Sequence, residues 1–430
     1  MYLNDAAACN TTALKAVHGR PYKVTLSNQF EPSKKRQHAS EIYTAHWPQD
    51  AHINEDIAQA LESATGQQAI RDAKPDLVVG GFPCQDYSVA RPLSQSHGLE
   101  GKKGVLFWSI TKLLEQRFAD GEPVPYLILE NVDRLLSSPA SSRGRDFAVV
   151  LAALGSLGYA VEWRVVNAAE YGFPQRRRRV FIVAYHVTTA LYGRTKAAAT
   201  RQRGEWHSEG VLNAALPSVL SGELDGYAPA LTVQSDPFGE QLGYRPLSNG
   251  KTRFANSGFM CDGQVWTCAA RAQDIEDFTE FTGTEAPLTL GDVIGKTGVV
   301  PTDFYVKTES EDAWQVAKGA KSVAREKNGF AYDYSEGSMA FPDPLNRPAR
   351  TIITSEGGST PSRTKHCIRE KSGLLRRLTP EELEELMGFP RGFTDLPKVS
   401  ATARAMLMGN ALIVGIVTRI GTALYKAIQD

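Results

Sequence analysis

The chain is 430 residues long, 42% hydrophobic and 22% charged, enough apolar material to bury a full core and to divide into two domains. Lysine plus arginine and aspartate plus glutamate both number 48, which excludes a globally basic nucleic-acid binder and leaves room only for a local basic groove. No apolar run reaches the length expected of a bilayer span, and the start, MYLNDAAACNTTALK, lacks the basic-then-apolar order of a secretory signal, so a cytoplasmic protein without membrane association is expected.

In chain order, YKVTLSN, DLVVGGF, YLILENV and VFIVAY are short, rich in Val, Ile, Leu and Tyr, and end in polar or Gly-containing turns, as buried parallel strands do. Between them GVLFWSITKLLEQRF puts Leu106, Ile110, Leu113, Leu114 and Phe118 at helical spacing, and DFAVVLAALGSLGY is similarly apolar. This alternation predicts an α/β, doubly wound, Rossmann-like parallel sheet over residues 1–188, with ligands at the carboxyl ends of the strands. From Thr189 the chain turns polar and rich in Gly, Pro, Ser and Thr, and residues 189–370 are expected to form a smaller, irregular, loop- and β-rich domain. Residues 371–430 then return to the first domain. In LTPEELEELMGFP, Thr379 is the expected N-cap, Pro380 the first helical residue and Glu382 the partner in a capping box. The closing stretch ATARAMLMGNALIVGIVTRIGTALYKAI reads as helix interrupted at Gly409-Asn410.

Five cysteines, Cys9, Cys84, Cys261, Cys268 and Cys367, are scattered without CxxC spacing, so neither a disulfide framework nor a metal site is expected. A lone cysteine is by default a small buried apolar residue. Cys84, however, follows Pro83 at a strand end in DLVVGGFPCQDYS, where a thiol is held toward the ligand crevice. One strand and one helix later Glu130 closes the apolar YLIL run, and a carboxylate there is costly unless it binds something. In YGFPQRRRRVFIV, strand alternation sends Arg177 and Arg179 to one face and Arg176 and Arg178 to the other, although such a run alone equally suits a solvated basic patch. A thiolate, a carboxyl group able to share a proton with a ring nitrogen, and arginines for neighbouring oxygens together suit covalent activation of a pyrimidine ring.

GGFPCQDYS, LENV, QRRRRVFIV, RPARTIIT and MGNAL, in that order, resemble the motifs of the DNA cytosine-5 methyltransferase family. The resemblance covers nearly the whole chain and implies methyl transfer from S-adenosylmethionine to carbon 5 of cytosine in double-stranded DNA, with the base flipped out of the stack. It implies that Cys84 adds to carbon 6, that Glu130 binds nitrogen 3 and the exocyclic amine, and that Asn131 fixes the local loop. Arg177 is implied beside the cytosine carbonyl and Arg179 beside Glu130 and the Cys84 loop. Gln85 and the stretch from Ser88 to Lys103 resemble the loop that closes over DNA, and Pro83 is carried over as a catalytic position beside Cys84. For the cofactor the matching positions are Asp56, Ile57, Pro83, Leu106 and Asn410.

The chain departs from the family at the first turn, where NDAAACNTTAL contains no glycine, and after the second strand, where Gln29 and Phe30 stand in place of a ribose-binding acid, with Glu31 beyond them. An upstream segment, a degenerate site or a partner requirement is therefore expected as the explanation. Residues 189–370 are the implied target recognition domain, and RTKHCIREKSGLLRR within and beyond its end suits either phosphate contact or a solvated surface. A monomer with a restriction or phage-defence partner is expected. An RNA-directed family member and a DNA-binding pseudoenzyme that has lost its cofactor remain the competing readings.

Overall fold

The computed structural model describes residues 2–3, 7–32, 34–82, 105–139, 142–201, 204–221, 229–234, 244–327 and 330–430. They pack into two compact units, one of Met1–Tyr171, Arg178–Ile275 and Val414–Asp430, the other of Gly172–Arg177 and Glu276–Ile413.

The strands of the first unit are β1 (Tyr2–Leu3), β2 (Ser27–Asn28), β3 (His52–Ile53), β4 (Leu77–Gly81), β5 (Tyr126–Asn131), β6 (Tyr159–Asn167), β7 (Arg178–His186), β8 (Ser218–Leu220), β9 (Leu231–Thr232), β10 (Ser257–Cys261), β11 (Gln264–Cys268) and β12 (Ala270–Ala272). Ten of them form one sheet in the order β3-β2-β1-β4-β5-β7-β6-β10-β11-β9, and β12 pairs separately with β8. The strands β3, β2, β1, β4 and β5 are parallel. Their order reverses between β1 and β4, the switch point at which doubly wound sheets collect ligands.

Two expectations fail beyond β5. VFIVAY lies in β7, which runs antiparallel to both β5 and β6. An apolar run buried on both faces reads the same in either direction, so its composition carries no sign of this. β6 was not anticipated as a strand because Glu162 and Arg164 interrupt its apolar pattern. Both are buried and hydrogen-bonded: Glu162 accepts from the Tyr185 hydroxyl and, at 3.2 Å, from the Leu212 amide, while Arg164 donates to Ser218 Oγ and to the Leu212 and Leu216 carbonyls. The expected strand YKVTLSN contracts to Ser27–Asn28.

The helix Val105–Ala119 buries Ile110, Leu113 and Leu114 as its spacing predicts, but it leaves Leu106 partly buried and Phe118 exposed and buries Phe107 instead. The helix Arg145–Ser156 is buried along most of its length. Past residue 188 regular structure continues: Ala190–Arg201 is a helix that buries Leu191, Tyr192, Ala198 and Ala199, and β10 extends the sheet beside β6. The two compact units change over along the chain after Ile275 and Ile413.

In the second unit Thr379 caps Pro380–Leu386 in a capping box with Glu382, as its sequence predicts. Glu382 also receives Arg376 at 2.7 Å, both side chains being buried. Two strands, Lys321–Lys327 and Phe330–Glu336, make a separate hairpin. The helix Ala401–Asn410 closes this unit's helices, and after residues 411–413, next to the expected break, the chain enters the helix Val414–Gln429 of the first unit. By length and composition the stretch Ala401–Gln429 passes for a bilayer span, contrary to the expectation that no run does, yet 72% of its apolar window is buried inside the protein. Buried core helices meet the same compositional test.

Candidate active site

Parallel pairing sets Gly81 of β4 opposite Glu130 of β5. One residue past Gly81 the chain is clamped: Asn131, buried at the end of β5, donates from Nδ2 to the Phe82 carbonyl at 2.6 Å, while its Oδ1 accepts from the Val132 amide at 2.8 Å. The Phe82 ring is also buried, packed on Phe107 with centroids 5.2 Å apart. Asn131 thus fixes the root from which Pro83 and Cys84 depart. Pro83, Cys84, Gln85 and the stretch from Ser88 to Lys103 lie outside the described residues.

On the other side of β5, Arg179 of β7 brings Nε to 2.7 Å from Oε1 of Glu130, with only 18% and 13% of the two side chains exposed. Arg179 also donates to the Arg178 carbonyl at 2.8 Å. The result is a shielded carboxylate held in one orientation at a strand end. Arg178 points to solvent and pairs with Asp133 at 3.2 Å. The expected alternation appears as exposure: Arg176 and Arg178 are exposed, Arg177 is buried and Arg179 is nearly so.

Arg177 belongs to the second unit, where it donates from Nη1 to the Ile352 carbonyl at 3.1 Å and from Nη2 to the Gly409 carbonyl at 3.0 Å. RPARTIIT and MGNAL are therefore joined by a buried guanidinium. Next to it, Gln175 is fully buried, accepting from the Ile352 amide at 3.1 Å and donating to the Leu386 carbonyl at 3.2 Å. The backbone completes this seam, with Arg176 N donating to Ala349 O at 2.8 Å and Ala349 N to Pro174 O at 2.8 Å. A Cβ at Gly409 would stand 2.3 Å from the Thr354 nitrogen, so only glycine allows this approach.

The expected cofactor residues of the first unit gather at strand ends. Gln29, buried, follows β2, and its amide donates to Ile53 of β3 at 3.1 Å. Asn28 ties the same two exits together, donating to the Ile53 carbonyl at 3.2 Å and to the Glu55 carbonyl at 2.8 Å. Phe30 is half-buried, Asp56 accepts from the Ala58 amide at 2.9 Å, and Ile57 is buried. Leu106 is partly buried against the core. Asn410 ends the helix Ala401–Asn410 in the second unit.

The model of the C-5 cytosine-specific DNA methylase family matches residues 13–231 and 269–426. The Type II methyltransferase M.Sau3AI of Staphylococcus aureus is 39% identical over 406 residues, which is 94% of this chain and 90% of that protein. The chain belongs to the C-5 cytosine-specific DNA methylase family. It is accordingly a DNA cytosine-5 methyltransferase. The Type II methyltransferase M.NgoBI of Neisseria gonorrhoeae matches this methylase at 37% identity over 117 residues, 27% of this chain and 33% of its own. Dnmt2 methyltransferase of S. pombe shares the fold with a TM-score of 0.56 at 12% identity over 99% of this chain and 98% of its own. A Spodoptera frugiperda DNMT2 mutant does so with a TM-score of 0.57 at 14% identity over 100% and 99%.

Sequence reasoning missed three features of this methylase. Gln175, directly before the arginine run, receives no role in the sequence reading. Asn10 lies in the helix Ala7–Lys15 that follows β1, its side chain buried with neither polar atom paired among the described residues. Burial also raises Glu162 to about 7 and lowers His207 to about 4. Nothing in the local sequence around either residue signals its burial.

Proposed function

We propose that this methylase transfers a methyl group to carbon 5 of cytosine within a specific duplex DNA sequence, through an adduct between the Cys84 sulfur and carbon 6 of a flipped base. The observation that carries this reading is the shielded Glu130–Arg179 pair beside the clamped Phe82, two residues before Cys84. S-adenosylmethionine, when bound, supplies the methyl group.

The chain's own residues supply the rest. Carbon 5 of cytosine is a poor nucleophile. Addition of the Cys84 thiolate to carbon 6 forms the S–C bond and moves the ring electrons to carbon 5, which then takes the methyl group. Loss of the carbon 5 proton and breakage of the S–C bond restore the aromatic base and the thiolate. Glu130 holds a proton at nitrogen 3 while the sulfur adds, and Arg179 orients that carboxyl group. Asn131 positions the Cys84 segment through Phe82. Arg177 acts as a positioning residue for RPARTIIT and MGNAL, since its guanidinium is spent on their carbonyls. Base flipping exposes carbon 6, which a duplex hides.

The residues present fit the methyl donor. Gln29 and Asp56 lie past the carboxyl ends of adjacent parallel strands, half-buried Phe30 offers a ring for adenine, and Asn10, unpaired among the described residues, offers polar atoms on the helix after β1. Ile57, Leu106 and Pro83 complete the proposed set. The Type II relatives support a role beside a restriction enzyme, with residues within 189–370 reading the DNA sequence.

The test is covalent trapping. A duplex carrying 5-fluorocytosine at the methylated position should form a stable adduct with the wild-type chain and none with Cys84→Ala, while DNA binding survives. An adduct formed by the Cys84→Ala protein overturns the assignment.

A further inference from the structure

A small cleft of the first unit, of about 130 Å³, is bounded by residues of β6, β7, β8 and β12, among them Arg164, Asn167, Glu170, Arg178, Ser218 and Arg271. Arg164 is its buried cation, only 3% exposed. Nη1 donates to Ser218 Oγ and Nη2 to the Leu212 and Leu216 carbonyls, while Nε has no hydrogen-bond partner among the described residues. All of these partners are neutral. A guanidinium does not give up its proton, and a buried charge is costly unless an opposite charge offsets it.

The acids and bases around Arg164 do not supply that charge. Glu162 lies two residues away on the same face of β6, but burial raises its carboxyl to about 7, so near pH 6 it is mostly uncharged. Arg164 and Tyr185 are the ionisable groups that act on Glu162, and β10 sets the apolar Phe259 opposite it. His207, with Nε2 at 2.9 Å from Ser218 Oγ, is pushed down to about 4 by burial and then by the Arg164 charge, and is therefore neutral. Glu170 is exposed and receives Asn167 Nδ2 at 3.3 Å. At the rim the side chains of Arg178 and Arg271 are 60% and 59% exposed, held by Asp133 at 3.2 Å and by Asp274 at 3.6 Å. Surface pairs of this kind contribute little, so either arginine can exchange its acid for another anion at small cost.

We propose that this cleft binds one free tetrahedral oxyanion of the phosphate or sulfate type, with Arg178 and Arg271 holding its oxygens over the buried charge of Arg164. The planar fork of a guanidinium matches paired oxygens of such an anion. Size and depth favour a free anion over the duplex: the attracting cation is almost fully buried, and a cleft this small has no room for a phosphodiester flanked by sugars on both sides. The proposal is independent of methyl transfer.

Isothermal titration of the full chain with sodium sulfate at constant ionic strength tests it, because sulfate keeps both charges throughout the neutral range. Near pH 6 the wild-type chain should bind sulfate at a single site, and inorganic phosphate should compete for it. Arg178→Ala and Arg271→Ala should each weaken binding roughly tenfold, the worth of one charge-assisted hydrogen bond. Arg201→Ala removes an exposed arginine elsewhere in the same unit and should change nothing. Near pH 8 Glu162 becomes a carboxylate beside Arg164, and wild-type binding should weaken roughly threefold. Glu162→Gln carries no charge at either pH and should bind equally at both. Circular dichroism checks that each variant is folded.

The proposal falls if the chain binds no sulfate, or if folded Arg178→Ala and Arg271→Ala bind it as wild type does. Wild-type binding as tight near pH 8 as near pH 6 also overturns it, since the charge of Arg164 is then not what draws the anion. A short duplex of random sequence decides the source. Failure of the duplex to displace sulfate supports a free anion. Displacement, with duplex binding weakened in Arg271→Ala, would assign the arginines to the DNA backbone and overturn the proposal.

Discussion

Glu130 on β5 and Arg179 on β7 form an ion pair at 2.7 Å that is largely shielded from water. Antiparallel pairing sets Glu130 opposite Phe181, so Arg179 reaches it diagonally from two residues earlier on the neighbouring strand. Shielding makes the pair matter more than a surface salt bridge, because removing one partner leaves the other desolvated and uncompensated.

Arg179→Ala is therefore expected to lower methyl transfer far more than DNA binding, and to destabilise the fold by about 1–3 kcal/mol. Arg179→Lys should recover the stability and only part of the rate, since an ammonium lacks the planar fork. Glu130→Gln, which cannot deliver a proton, should cost roughly 10²–10⁴-fold in the single-turnover rate. Rapid-quench methylation and urea unfolding measure the two effects separately.

A second outcome concerns the seam in the second unit. Gly409→Ala forces a methyl group to within 2.3 Å of the Thr354 nitrogen, where backbone must move. We expect a loss of about 1–3 kcal/mol. Arg177→Ala leaves the Ile352 and Gly409 carbonyls without their donor and opens a cavity, for a loss of about 3 kcal/mol. Thermal unfolding of each variant checks these values, and the two losses should not add in the double variant because both act on one contact.

Much of this was legible in the sequence, for reasons that particular residues make plain. Thr379, Pro380 and Glu382 could be read as a helix start because capping is local chemistry. Glu130 and Asn131 could be placed at a strand end because an apolar run stops there. The partners of Arg177 could not, since its two hydrogen bonds span 175 and 232 residues of chain. β6 stayed hidden because buried Glu162 and Arg164 look like surface residues until their distant partners are known. The polar helix Ala190–Arg201 reads as loop for the matching reason: its buried stripe is short and broken by Arg194 and Lys196.

Glu162 also predicts a pH dependence. Burial raises its carboxyl from the ordinary 4.5 to about 7, against the opposing bonds from Tyr185 and Leu212. Between those values the folded chain holds a proton that the unfolded chain has released, so stability falls as pH rises through this window and levels off above it. The loss is on the order of 3 kcal/mol. Glu162→Gln keeps an acceptor for the Tyr185 hydroxyl and carries no charge at any pH. Its melting temperature should match wild type near pH 5 and exceed it near pH 8, and equal melting temperatures at both would show that Glu162 is not the group responsible.

Asp56 offers a way to separate a structural role from a ligand-binding one. Its Oδ1 accepts from the Ala58 amide at 2.9 Å and so caps the short helix Ile57–Ala60. The proposed function asks the same carboxylate to receive the adenine amine of S-adenosylmethionine. Asparagine keeps the capping oxygen, so Asp56→Asn should leave stability within a few tenths of a kcal/mol, whereas Asp56→Ala should cost about 1 kcal/mol. A ligand contact behaves differently, since replacing a charged acceptor by a neutral one weakens the bond to the amine in Asn as well as in Ala. Isothermal titration is expected to show S-adenosylmethionine binding weakened roughly tenfold by Asp56→Asn and at least as much by Asp56→Ala, with Phe30→Ala weakening it through loss of ring stacking. If Asp56→Asn binds as tightly as wild type while Asp56→Ala loses only stability, Asp56 is a helix cap alone, and the adenine must be held by other residues past the ends of β2 and β3.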